Sequence, residues 1–106
     1  MGRNILRAGA FALMLGIATS AHAYRMYGVP DCGQWVKENS PTHRAWLLGY
    51  LSGINGGINV ATKRDPLAKT NSAQQIFVWM DNYCRANPLN SLETGALELM
   101  AELSKQ

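Results

Sequence analysis

Two cysteines, two histidines and seven carboxylates hold most of the side-chain chemistry open to this chain. A pair such as Cys32 and Cys84 can ligate a metal, supply a catalytic thiol or close a disulfide. A zinc site needs four ligands at recognisable spacing. Only His43 could join the two cysteines, and that spacing fits no zinc pattern, so no metal site is expected. A catalytic thiol must stay reduced, so the compartment decides between the remaining two.

The N-terminus speaks to that compartment. "MGRNILRAGAFALMLGIATSAHA" carries Arg3 and Arg7, then an apolar run from Ala8 to Ile17, then Ala21-His22-Ala23. This is the pattern of a secretory signal peptide cleaved after Ala23. Its apolar core falls short of the ~20 residues that a membrane span needs. Residues 1–23 therefore read as a leader and 24–106 as one small domain. No later stretch reaches spanning length, so no stable membrane insertion is expected. In an oxidising compartment two lone cysteines pair. A Cys32–Cys84 disulfide would close a loop of about 50 residues, with a chain-entropy gain on the order of 4 kcal/mol.

The remaining inventory holds no catalytic constellation. His43, in "PTHRAW", reads as a surface residue in a first helical turn rather than a general base. No nucleophile-elbow, H-E-x-x-H, phosphate-loop or paired-carboxylate pattern occurs. Asp65 and Asp81 would have to meet in space, and nothing in the sequence brings them together. No catalytic residue and no cofactor is expected. Of ten Lys and Arg, Arg3 and Arg7 lie in the leader, leaving eight against seven acidic residues, a net charge of +1. "TKRDP" is the one local basic cluster and falls short of a phosphate-binding stripe. No nucleic-acid partner is expected.

Helical signals run the length of the domain. Asp31 caps a short helix, "CGQWVKEN", with Trp35 and Val36 facing inward. Ser40 followed by Pro41 opens a second helix to about Ala61. Asn71 with Gln74, or Ser72 with Gln75, gives the spacing of a capping box before a third helix that reaches about Arg85 and stops at Asn87-Pro88. A fourth starts at Asn90 or Ser91, with Asn90 and Glu93 again at capping-box spacing. Leu92, Ala96, Leu99, Met100 and Leu103 then share one face. "TKRDPLAKTN" is a polar loop with one short turn at Pro66. The fold class is all-α: a single small bundle of about four helices, stapled by one disulfide.

The second helix contains an oddity. Gly49, Gly53 and Gly57 recur every fourth residue, and Gly56 adds another. Each interior glycine costs a helix roughly 1 kcal/mol against alanine. Close helix packing along Gly49, Gly53 and Gly57 would offset that cost, with Ile76, Phe77, Trp79, Met80 and Tyr83 of the third helix as the facing surface. The competing reading ends the helix at Gly56 or Gly57 as a left-handed cap. Trp46, Ile54, Phe77 and Trp79 are the candidate binding surface, released when packing loosens.

The segments "DCGQWV", "LLGYLSGIN" and "NYCRANPLNSLETGALELM" resemble small exported helical proteins of the HdeA/HdeB type, over about Cys32 to Leu103. The resemblance implies a periplasmic, all-helical protein clamped by one disulfide. It implies an acid-activated chaperone that leaves a homodimer, partly unfolds and holds unfolded clients. The same region is similar to periplasmic Tai-type immunity proteins, which neutralise toxins delivered by type VI secretion; those commonly carry more cysteines than the two here. The expected function is thus non-enzymatic: an acid-stress chaperone binding unfolded clients or, alternatively, an immunity or inhibitor protein with one protein partner.

Overall fold

The computed structural model describes residues 24–105. The proposed leader, residues 1–23, lies outside them. Helix α1 spans Cys32–Glu38, α2 Pro41–Thr62, α3 Ala73–Ala86 and α4 Leu92–Leu103, with one 3-10 turn at Pro66–Lys69. No strand occurs among the described residues; one isolated antiparallel bridge joins Asp31 and Ser91.

Local side-chain chemistry accounts for the boundaries. The Asp31 carboxylate accepts from the Gln34 amide at 2.7 Å while the Gln34 side chain accepts from the Asp31 amide at 3.0 Å, a reciprocal capping box. Asn39 then takes left-handed geometry, φ 48°, and stops the helix after two turns. Ser40 Oγ accepts from the Thr42 amide beside Pro41, and α2 runs unbroken to Lys63, again left-handed at φ 62°. The glycine cap considered at Gly56 or Gly57 is therefore absent. Ser72 caps α3, and the Gln75 side chain reaches back to the Asn71 amide at 2.7 Å. Ser91, not Asn90, caps α4. The expected Asn90–Glu93 box does not form, because Asn90 donates to the Tyr83 hydroxyl at 2.8 Å and Glu93 accepts from Tyr24.

Packing is organised through α4. Its inner face buries Leu92, Gly95, Ala96, Leu99 and Met100. Both α2 and α3 lie against this helix, and α1 lies against α3. The Cys32–Cys84 disulfide joins α1 to α3 at a Cα separation of 4.8 Å. Leu47, Leu51, Ile76, Phe77, Met80 and Tyr83 complete the core with Trp35. Val36, expected inward, is exposed. Cys32 and Trp35, three residues apart, fix the buried face of a two-turn helix, and Val36 lies about 100° away from Trp35.

The glycine expectation is corrected. A Cβ built on Gly49, Gly53, Gly56 or Gly57 would meet no atom within 4 Å. The packed seam of α2 is Leu47, Leu51, Ile54 and Ile58. Gly49 and Gly53 follow Leu47 and Leu51 by two residues, about 200° of helix, and so fall on the far side. Nor is α3 the principal neighbour of α2. They meet where the Arg44 guanidinium lies over the Phe77 ring, 5.1 Å from its centroid. The close approach occurs instead at Gly95, where a Cβ would come within 2.8 Å of Met80 Sδ and of two Tyr83 ring atoms.

Gly95→Ala should therefore destabilise the domain by about 1–3 kcal/mol through overpacking. Gly53→Ala, with open space and better helix propensity, should stabilise it by roughly 0.5–1 kcal/mol. Denaturant melts of the two variants read this contrast directly; equal effects would contradict it. Cys84→Ser should cost about 2–5 kcal/mol, as loss of a native disulfide does in small secreted domains, read from the same melts.

Candidate functional site

The expected binding-surface residues do not form one surface in the folded chain. Phe77 is buried, 6.0 Å from Trp35 in a tilted ring pair. Trp46, Ile54 and Trp79 are partly buried against the core, the first two on α2 and the last on α3. Trp46 stacks on Tyr50 at 5.1 Å, one turn along α2. Trp79 stacks on Tyr83 at 5.4 Å, one turn along α3. Each pair lies within its own helix, and of the four residues Trp79 lines a shallow groove on α3 with Gln74, Gln75, Val78 and Asn82.

What α2 leaves open is its other side. From Ala45 to Thr62 the helix carries no charged side chain. Ala45, Gly49, Ser52, Gly53, Gly56, Gly57 and Val60 are all exposed, Val60 at 80%. A charge-free helical surface bare of large side chains thus faces outward, supported from behind by Leu47 and Leu51.

Several acidic residues have individual partners. Trp35 Nε1 donates to Asp81 at 2.7 Å, and Trp79 Nε1 to Glu102 at 2.8 Å. Asn55 Nδ2 donates to Asp65 at 2.7 Å. Asp65 and Asp81 thus serve separate partners and make no carboxylate pair. His43 Nε2 lies 3.6 Å from Glu38 across the α1–α2 junction. Among the described residues, no cluster of three His, Cys, Asp or Glu side chains could hold a metal ion. With both thiols in the disulfide, neither is available as a nucleophile.

A second feature joins residues far apart in sequence. The Tyr24 hydroxyl donates to Glu93, in the first turn of α4. Tyr24, Met26, Val29 and Glu93 line a cavity of about 300 Å³. The bond to Glu93 pushes the Tyr24 phenol from its ordinary 10.0 up to about 12. Burial first, and then the Glu93 charge, raise the Tyr50 phenol as well. A carboxylate that accepts a phenol's proton in a hydrogen bond opposes the loss of that proton. Nothing in the sequence announces this contact. Its partners stand 69 positions apart, and Glu93 looks like an ordinary first-turn acid.

Comparison with family models, with characterised proteins and with solved structures finds no match to this chain. No helix among the described residues is long and apolar enough to cross a membrane.

The tyrosine–glutamate contact has a checkable pH signature. A raised phenol pKa means that the folded state holds the proton more tightly than the unfolded state. Its stabilising effect is present below pH 10.0 and is lost as pH rises through about 12. In Glu93→Gln the Tyr24 phenol should return toward its ordinary value, read as an earlier tyrosinate absorbance rise in the folded protein. An unchanged titration would exclude the contact.

Proposed function

We propose that this chain is an exported, non-enzymatic protein that binds another protein through the glycine face of α2. One observation carries the reading. Four glycines sit in a continuous helix, at a combined propensity cost of roughly 3–4 kcal/mol against alanine. No atom of the described chain approaches any of them closely enough to require the missing side chain. Alanine would fit at all four positions. The compensation for bare backbone is then found outside the chain, in a partner whose helix or loop approaches more closely than any Cβ would allow. Cα–H···O contacts and dispersion reward such an approach. The absence of charge from Ala45 to Thr62 spares such a partner the large cost of burying an ionised side chain.

A folded binder of this kind favours the immunity or inhibitor reading, with one toxin or enzyme as partner in the periplasm. Export is supported by the leader-like N-terminus and is compatible with the paired cysteines. A second copy of the chain is the other candidate for the same face, in a homodimer.

A different observation favours the acid-chaperone reading. Hydrogen bonds from Tyr24, Trp35, Asn55 and Trp79, each linking separate segments, all end on carboxylates. Strong acid would neutralise these acceptors. It would also carry the domain from about +1 toward about +9, counting the eight cations and His43, and self-repulsion disfavours a compact state. The disulfide would keep α1 and α3 tethered while Trp46, Ile54, Phe77 and Trp79 became accessible to clients.

The two readings separate in one set of measurements. Gly53→Arg places a long cation in open space on the α2 face. In a folded binder it should abolish capture of a periplasmic partner, or dimerisation, by at least about tenfold in Kd. Its near-ultraviolet signal should stay native. An acid holdase should instead lose that signal in acid, bind hydrophobic dye and keep an acid-denatured client in solution, with Gly53→Arg having little effect. A protein that stays native in acid and whose interactions ignore Gly53→Arg would exclude both readings.

A further inference from the structure

Residues 55 and 56 form the one Asn-Gly dipeptide in the chain, and asparagine is among the chemically labile residues. Where the backbone is free, the amide nitrogen of the following glycine can attack the asparagine side-chain carbon. Glycine presents no side chain to hinder that approach. In this fold the dipeptide lies inside α2, and its side chain is a structural clamp. Asn55 Nδ2 donates to Asp65 at 2.7 Å, while Asn55 Oδ1 accepts from the Leu67 amide at 3.0 Å. Together they tie the 63–70 loop to the helix. Asn59 adds a bond to the Arg64 carbonyl at 3.0 Å. From the same loop, Arg64 donates to the Ser104 carbonyl at 2.6 Å, and Lys69 to that of Lys105, just beyond the end of α4.

We propose that Asn55 is an unfolding-gated deamidation site whose reactive side chain is also the lock that keeps it unreactive. In the folded chain the Gly56 N–H belongs to the helical ladder, and helical dihedrals hold its nitrogen away from the Asn55 side chain. Both polar ends of that side chain are engaged. When this part of α2 opens, the Gly56 nitrogen bonds to Asn55 Cγ and loses its proton. The Cγ–Nδ2 bond breaks, ammonia leaves, and a five-membered succinimide forms. Water then opens either carbonyl, giving aspartate or isoaspartate. The net change is amide plus water to carboxylate plus ammonium, with no redox step.

The product cannot rebuild the lock. Aspartate at 55 has no donor for Asp65 and sets a second carboxylate against the first at contact distance. Isoaspartate routes the backbone through the side-chain carbon and breaks the helical register. The site also sits where α2 is intrinsically weakest, with Gly53, Gly56 and Gly57 around it. Opening of this helix is thus recorded as an irreversible covalent change, and the 63–70 loop loses its anchor.

The disulfide-bonded protein is incubated at mildly alkaline pH, native and in denaturant, and the peptide containing residues 45–62 is followed by mass spectrometry. Conversion at Asn55 should be slower in the native chain by at least about a hundredfold, the factor set by how rarely the helix opens. Gly56→Ala meets no steric obstacle in the fold and should suppress conversion in denaturant as well. Asn55→Asp should lower Tm by roughly 4–8 °C. Adding Asp65→Asn, which reverses donor and acceptor, should recover most of that loss. Equal native and denatured rates would overturn the gating. An Asn55→Asp protein as stable as wild type, or a double variant with no recovery, would overturn the lock.

Discussion

Helix α4 can lie against α3 only because residue 95 has no side chain. At Gly95 the Tyr83 ring and the Met80 sulfur occupy the space that a methyl group would need. This contact sets more than one interface. α4 carries α2 on another part of its surface, and α2 makes little contact with α3 beyond Arg44 over Phe77. A shift of α4 away from α3 would therefore move the α2 seam of Leu47 and Leu51 as well. The disulfide works at the opposite end of the same chain of contacts. It holds α1, too short to be stable alone, against α3, and so places Trp35 over Phe77.

Because the core is small, indole and phenol groups do two jobs at once. Trp35 and Trp79 bury ring surface and aim their N–H groups at Asp81 and Glu102. Tyr83 stacks on Trp79 and takes the Asn90 amide on its hydroxyl. Aromatic side chains suit this role, with an apolar body for packing and one polar handle for register. A domain with few methyl-rich layers gains direction from these handles. The two indole handles also tie helix packing to the carboxylates that accept from them.

Much of this was legible in the sequence because it is local. Ser40-Pro41, the Asp31 cap, and Ser72 with Gln75 are helix starts whose chemistry is complete within four residues. The α4 face from Leu92 to Leu103 follows from periodicity alone, and the cysteine pairing from the leader-like N-terminal pattern and the count of two. The glycines of α2 misled because spacing identifies a ridge without saying which side of the helix it occupies. The offset from Leu47 and Leu51 held that information. Gly95 escaped notice because a lone glycine in "LETGALELM" has no period. The Tyr24–Glu93 and Asn55–Asp65 bonds arise from the meeting of distant segments, which no local pattern encodes. Asn90 and Glu93 had the right spacing for a cap, but tertiary partners claimed both side chains first.

Helix α2 then presents a physical contrast between its two sides. Its packed seam has large apolar residues and an ordinary reason to exist. Its outer side has glycine where alanine would give a more stable helix in the isolated chain. The 63–70 loop, clamped through Asn55 and Asn59, holds the last turns of α2 in place despite that weakness. A helix made weak by its outer residues and then braced from behind costs stability twice, once in propensity and once in ordering the brace. Such an arrangement makes sense where the bare surface itself is used, which ties the proposed binding role to α2 rather than to the aromatic residues.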